Sequence, residues 1–473
     1  MSEFSWEPIE DIAKSVQTGG VTAVSLVEKA LERAKQTKDY NSILQLIENR
    51  SIERAKQIDV DVIAGKAKGR LLGVPFVAKD NFLTFDSQTT AASNILKGFE
   101  APYQSTAIER LEAEGAICIA KANLDAFAHG GSTENSDFGP TKNPVDPEYV
   151  PGGSSGGSAT AVVLGIAPFA LGTDTGGSIR QPASFTGSVG LKPSYGLVSR
   201  YGVIAMASST DCIGPLTSRV QDAALVLDVM AGKDERDSTT IERSKSYVTE
   251  KSTIKKIALV KEYLDEGVSD EVRLSITKAI DKLKLAGITV EEVSLPSVKH
   301  ALAAYYILSP AEISSNLARY DGVKFGYRAD ADSLESMYAE TKNEGFNYEN
   351  KRRIMIGAYV LSSGYYEAYY QKAQKVRTMI INDFKSAFEK YDLLIGPTSP
   401  TTAFKLGELS RDPVGMYLQD VLNVGASLAG LPAISVPIEP ENVMPVGLQV
   451  VGKHSSDNQV INFAALVEET QNG

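Results

Sequence analysis

Covalent chemistry in this sequence can start from three places: Lys79, the cluster Gly152-Gly153-Ser154-Ser155-Gly156-Gly157-Ser158, and the cluster Gly176-Gly177-Ser178. Glycine loses the most backbone freedom on folding, so glycines gathered in two turns imply N–H groups that must approach something closely. Hydroxyls set among free N–H groups are what acyl transfer requires, a nucleophile with donors for the oxyanion. Three readings compete. Gly152 and Gly157 have the spacing of a phosphate-cradling loop, but Ser158-Ala159 stands where Lys-Ser/Thr belongs. Gly152-x-Ser154-x-Gly156 and Gly153-x-Ser155-x-Gly157 both fit the nucleophile-elbow pattern. An elbow needs a strand leading into it, and the approach over residues 143–151 carries Pro144, Pro147 and Pro151, which a central strand cannot hold. The third reading gives a serine a lysine as its base. Lys79 ends the apolar run Gly73-Val74-Pro75-Phe76-Val77-Ala78, so a buried strand would present its amine at the C-terminal edge. Burial disfavours the charged amine. Bringing a lysine from about 10.4 to about 7 takes roughly 4.6 kcal/mol, which a dry pocket can supply.

Those side chains need a frame. Residues 71–78 read as the strand that carries Lys79, with a small-residue helix at about 158–164 and a strand at about 167–171 between the two clusters. Upstream, Val24, Val27, Leu31 and Ala34 give residues 22–36 helical spacing. Leu44, Leu46 and Ile47 predict a short strand, and Ser51 a cap for the next helix, with Arg54 and Lys56 on its wet side. Helices at 105–114, 221–230 and about 270–286 alternate with strands at 116–120 and 257–260. That alternation predicts an α/β fold, a mixed or mostly parallel sheet covered on both faces. The polar run 232–251 reads as an exposed connection. Residues 301–390 are aromatic and helix-like; their tyrosines are either amphipathic packing or the wall of a polar pocket.

With 473 residues, 43% hydrophobic and 23% charged, the chain can bury a large core. Length alone allows two or three domains; no long linker divides it, so residues 1–473 are read as one domain. A net charge of −11 disfavours extensive direct contact with phosphates, although a partner could carry that surface. Cys118 and Cys212 lie in apolar surroundings and are read as buried thiols. Residues 1–7 lack the basic and apolar segments of a signal peptide, and no apolar run approaches a membrane span, so a cytoplasmic location without membrane contact is expected. His129 is tempting as a base but reads as a loop or core histidine. His300 and His454 have no Cys or His at ligand spacing, so no metal site is expected. Ser275-x-x-Lys278 matches a Ser–Lys motif but lies in an ordinary helix without a glycine-rich partner.

Lys79 in Gly-Val-Pro-Phe-Val-Ala-Lys-Asp-Asn, the run Pro151 to Ser158, and Asp174-Thr175-Gly176-Gly177-Ser178-Ile179-Arg180-Gln181-Pro182-Ala183 together resemble the amidase signature family. The resemblance implies that family's fold and a Ser–Ser–Lys triad. Ser178 would be the nucleophile, Ser154 the bridging serine after a cis peptide bond, and Lys79 the base. The intervals of 75 and 24 residues agree with the family pattern. The N–H groups of Thr175, Gly176, Gly177 and Ser178 would hold the oxyanion. Residues 123–136 resemble the family's pocket lining, placing Gly130 and Gly131 beside the substrate; His129 stands where Met is usual and Gly131 where Ser is common.

Around Arg353 and Tyr369, and at 412–420 and 428–432, the similarity narrows to the A-subunit branch of the tRNA-dependent amidotransferases. Residues 423–427 depart from the family's usual T-x-P-x-N before Leu428. By the branch's pattern Tyr305, Arg353 and Asp420 hold glutamine, Arg353 on the α-carboxylate and Asp420 on the α-ammonium. Without the resemblance, the same charges read first as solvated groups or a surface ion pair. The branch implies a glutaminase that supplies ammonia for converting Glu-tRNA(Gln) to Gln-tRNA(Gln), Asp-tRNA(Asn) to Asn-tRNA(Asn), or both. It implies GatB-like and GatC-like subunits, aminoacyl-tRNA bound mainly by the partner, and no cofactor in this chain, ATP and Mg²⁺ being used through the partner. Two other readings stand beside it: a stand-alone amidase of the same family acting on an apolar amide, and a non-catalytic binding module.

Overall fold

The computed structural model describes residues 5–243, 246–265 and 267–472. Among them, one sheet is built from β1 (Ile43–Leu46), β2 (Pro75–Lys79), β3 (Ile117–Ala122), β4 (Phe169–Asp174), β5 (Val189–Lys192), β6 (Cys212–Thr217), β7 (Lys256–Val260), β8 (Thr289–Val293), β9 (Leu393–Pro397), β10 (Ala433–Ile438) and β11 (Val446–Gly452). Their order across the sheet is β1-β3-β2-β4-β6-β5-β10-β11-β9-β7-β8. Pairing is parallel through β3–β2–β4 and β9–β7–β8 and antiparallel elsewhere, so the sheet is mixed, as the alternating elements predict. Successive strand residues point to opposite faces. Every residue of β2, β3, β4, β6, β9 and β11 is buried, so both faces are covered. Exposure is greatest at the edge strands β1 and β8.

Local chemistry accounts for most element ends. The helix Ala23–Gln36 starts where the Thr22 hydroxyl accepts the Ser25 N–H at 3.1 Å. Ser51 caps nothing: the helix Glu48–Ile63 begins before it, and its hydroxyl donates to Glu48 O at 2.9 Å. The Ile47 N–H bonds to Ile119 O at 2.8 Å, so the chain leaves the sheet there and turns directly into the helix. The strand that carries Lys79 is shorter than expected, because the Val74 N–H turns back to Leu71 O at 3.0 Å with Gly73 at φ +74°. The polar run after Gly232 is not simply exposed. Asp237 pairs with Arg200 at 3.1 Å and Tyr247 is buried, while Ser244 and Lys245 lie outside the described residues. Residues 301–390 are helical as expected, with Ala301–Leu317, Leu334–Gly345, Tyr348–Val360, a π-turn at Tyr366–Tyr370, and Gln371–Ala387. No described helix is long and apolar enough to cross a membrane.

One buried cation ties the centre of the sheet together. Arg180, in the helix Arg180–Thr186, donates Nε to Asp174 Oδ2 at 2.8 Å and Nη2 to Oδ1 at 2.9 Å, at the end of β4. Its Nη1 reaches Gln449 Oε1 of β11 at 2.6 Å and its Nη2 reaches Ser427 Oγ at 2.8 Å. Burial opposes the Asp174 carboxylate, yet the Arg180 guanidinium holds it below the usual carboxylate range. Removing one partner of such a pair leaves an uncompensated charge indoors and costs about 3–5 kcal/mol. Arg180→Met should therefore lower the urea midpoint by that equivalent, and adding Asp174→Asn should recover part of the loss.

Candidate active site

β2 lies inside the sheet, between β3 and β4, and at its end it places Lys79 with no exposed side-chain surface. The Lys79 Nζ lies 2.8 Å from Ser154 Oγ, 2.9 Å from Ser155 Oγ and 3.0 Å from Thr173 Oγ1. Three hydroxyl partners suit both protonation states. An ammonium donates to all three, and a free amine donates to two and accepts from the third. Burial lowers the Lys79 pKa to about 7 against the opposing pull of the Asp125, Asp174 and Asp211 carboxylates. The depression expected from the sequence is therefore present, and its cause is desolvation. Asn81 donates Nδ2 to Thr173 Oγ1 at 3.1 Å and so braces the ring from behind.

The two glycine-rich turns meet at this lysine. The peptide bond Gly153–Ser154 is cis, and a Cβ on Gly153 would fall 2.2 Å from Asp125 Oδ2. Burial raises the Asp125 pKa to about 6, offset by the Thr133 N–H at 2.9 Å and the Asn135 N–H at 3.1 Å. The Ser155 N–H donates to Ser178 O at 3.1 Å, which stitches the second turn to the first. Ser178 retains 8% exposure, against none for Ser154. Its hydroxyl has no hydrogen bond among the described residues. Of the four predicted oxyanion donors, the Gly177 N–H is taken by Asp174 Oδ1 at 2.9 Å. The sequence gives no sign of this, because the aspartate that begins the motif folds back over its own turn. The Thr175, Gly176 and Ser178 N–H groups have no acceptor among the described residues. Gly176 must lack a side chain, since a Cβ there would sit 2.6 Å from the Tyr305 ring.

A cavity of about 340 Å³ opens beside these turns, lined by Gly130, Gly131, Tyr306, Glu349, Arg353 and Tyr417 among others. Its connection to the serines is Gln181, which donates Nε2 to Gly131 O at 2.9 Å and accepts the Gly153 N–H at 2.8 Å. Arg353 is 3% exposed, with Nε on Glu349 Oε1 at 2.8 Å and its guanidinium 5.0 Å from the Tyr306 ring and 5.2 Å from the Tyr417 ring. No acceptor among the described residues bonds its two Nη groups. Burial works against the Arg353 charge, but Tyr306 and Glu349 around it raise its pKa above the ordinary value. Asp420 accepts the Tyr306 hydroxyl at 2.8 Å on Oδ2, and a methyl group on Gly131 would lie 3.8 Å from Oδ1. Burial pushes the Asp420 pKa up to about 7 in spite of Tyr306 and Arg353. A cation arriving there would restore its charge. The cavity thus offers two unfilled guanidinium Nη groups, with an under-compensated carboxylate behind Tyr306, a pair that fits a zwitterion.

Tyr305, Arg353, Asp420, Gly130 and Gly131 all lie around this region, but Tyr306 rather than Tyr305 presents its hydroxyl to Asp420 and lines the cavity. Tyr305 packs at 3% exposure over Gly176 and stands at right angles to the Tyr306 ring, 5.2 Å away. The sequence gives no role to Thr173 and Asn81, and offers Ser155 only as an elbow serine rather than as a partner of Lys79. Glu349, four residues before Arg353 in one helix, was legible as an i,i+4 pair. His129 is fully buried with Nδ1 2.7 Å from Asn350 Nδ2, and burial followed by Arg353 lowers its pKa well below the ordinary value. It is the core histidine that the blander reading anticipates. Cys118 and Cys212 are free and buried, as expected.

The amidase family profile matches residues 25–461. The A subunit of glutamyl-tRNA(Gln) amidotransferase from Geobacillus thermodenitrificans is 50% identical over 98% of this chain and 96% of its own length. Its namesake from Macrococcus caseolyticus is 49% identical over 99% and 98%. The crystal structure of the A subunit of glutamyl-tRNA(Gln) amidotransferase from Thermotoga maritima superposes with a TM-score of 0.79 at 41% identity, covering 94% of this chain and 91% of that one. Carrying a lysine buried among serine hydroxyls on an inner strand of a mixed eleven-stranded sheet, the chain belongs to the amidase family.

Proposed function

We propose that this chain is the glutamine-hydrolysing A subunit of a tRNA-dependent amidotransferase, acting as one catalytic unit whose 301–390 helical segment walls the glutamine pocket. The observation that carries the reading is the Lys79 Nζ held 2.8 Å from Ser154 Oγ beside a cavity furnished with Arg353 and, behind Tyr306, Asp420. An apolar amide would leave the Arg353 Nη groups without an acceptor and Asp420 without a cation, whereas glutamine supplies a carboxylate to one and an ammonium to the other. The relatives named above support the same assignment.

In this reading neutral Lys79 takes the Ser154 proton while Ser154 takes that of Ser178, and Ser178 Oγ attacks the glutamine side-chain carboxamide. The N–H groups of Thr175, Gly176 and Ser178 receive the oxyanion, each donor contributing about 3 kcal/mol. The proton returns through Ser154 to the departing nitrogen, ammonia leaves, and water resolves the glutamyl ester by the same relay. The ammonia serves Glu-tRNA(Gln), Asp-tRNA(Asn) or both on a GatB-like partner that uses ATP and Mg²⁺. A GatC-like subunit completes the heterotrimer, in the cytoplasm where aminoacyl-tRNA is found.

Ser178→Ala should abolish glutamine hydrolysis in the assembled complex while added ammonium still supports tRNA transamidation; loss of both activities would refute the division of labour. Because Lys79 must be uncharged to act, kcat/KM for glutamine should rise with pH through about 7 and level off above it, as its pKa of about 7 requires. Arg353→Ala should raise KM for glutamine at least 10-fold without improving turnover of a simple aliphatic amide. An enzyme that prefers the aliphatic amide would instead be the stand-alone amidase.

A further inference from the structure

A second cavity, about 230 Å³, has Asn81, Thr173, Arg200, Asp211, Cys212 and Asp237 in its lining. It shares none of its lining with the glutamine pocket, and through Thr173 it comes within one hydrogen bond of the Lys79 Nζ. Asp211 stands out in it because the antiparallel ladder of β4 and β6 ends at Asp174↔Cys212. One step beyond that last pair the chains bring Thr175 and Asp211 face to face. Asp211 Oδ1 accepts the Thr175 hydroxyl at 2.7 Å and the Ala207 N–H at 3.2 Å, and Oδ2 accepts the Met206 N–H at 2.9 Å. Thr175 is the first residue of the oxyanion turn, so that turn is fastened at one end by Arg180 through Asp174 and at the other by Asp211.

We propose that Asp211 is a positioning residue for hydrolysis, which fixes the Thr175 end of the oxyanion turn and keeps a buried negative charge near the Lys79 amine. Its surroundings support both roles. The arginine that faces it, Arg200, is engaged by Asp237 at 3.1 Å, and Arg236, also on this cavity, is engaged by Asp234 and Glu109. Among the other carboxylates that act on Lys79, Asp174 is neutralised by Arg180, while Asp125 has backbone N–H partners like those of Asp211. Tyr201 lines the same cavity, and Tyr305 and Cys212 are also near; burial raises the pKa of the last two and keeps them protonated. Burial lifts the Asp211 pKa to about 6, so near neutral pH the carboxylate stays ionised and holds Lys79 from falling further. Asp211 differs from Asp125 in touching the oxyanion turn as well.

The proposal rests on the glutaminase reading, and the two can fail separately. In the assembled complex, Asp211→Asn should lower kcat for glutamine about 10- to 100-fold with KM little changed, as expected when donors are misplaced by a fraction of an ångström. It should also move the acid limb of kcat/KM to lower pH, because removing an anion favours the uncharged lysine. Thr175→Val, which deletes the tethering hydroxyl but leaves every charge, should lower kcat while the acid limb stays in place. A wild-type acid limb in a folded Asp211→Asn enzyme, or a wild-type kcat in Thr175→Val, would overturn the assignment. The second outcome decides the matter even if Asp211→Asn does not fold. Should the unmodified complex hydrolyse only a simple aliphatic amide, the glutaminase reading fails, and the same two variants test Asp211 with that amide.

Discussion

An amine can act as a general base at neutral pH only if water is kept from it, and the centre of this molecule is arranged to that end. Lys79 sits on a central strand with no exposed surface, and its contacts are hydroxyls rather than a carboxylate. A carboxylate in the place of Ser155 or Thr173 would restore the ammonium and remove its basicity. Hydroxyls satisfy the nitrogen in either state, so the proton can move without leaving a polar atom stranded.

The charges nearby are held at graded distances from neutrality. Asp174 is paired in both oxygens by Arg180 and serves as structure. Asp125 and Asp211 have dipoles for partners, and so oppose the burial of Lys79 without binding it. Arg353 and Asp420 remain incompletely matched at the cavity, where a substrate with both signs would complete them. The same physical cost, a charge incompletely compensated in a dry interior, thus governs the base and the specificity pocket alike.

Much of this was legible from residue order. The apolar run ending in Lys79, the paired glycine–serine clusters and the alternating helices and strands all survive in the fold, and the helix expected over 22–36 forms at Ala23–Gln36. What escaped depends on contacts between distant segments. Nothing around Ser51 announces that Ile47 stays bonded to Ile119 and starts the helix early. In Tyr305-Tyr306 neighbouring residues on one helix point about 100° apart, so a sequence pattern cannot choose between them; packing on Gly176 takes one and Asp420 takes the other. Asp174 closing over Gly177 and Asp211 reaching Thr175 both follow from where β4 stops against β6, a register that no local signal encodes.

That register has a bearing on how variants of this enzyme can be assembled. The hydrolytic turn is supplied by one stretch, about residues 169–178, and its outer fastening by another, about 206–217, which are separate in the chain and zipped together in space. A hybrid that draws one stretch from a distant homologue and the other from this protein would inherit a turn and a tether shaped by different histories. Crossovers that keep the two strands from a single parent preserve the fit, which makes the β4–β6 pair the natural unit of exchange.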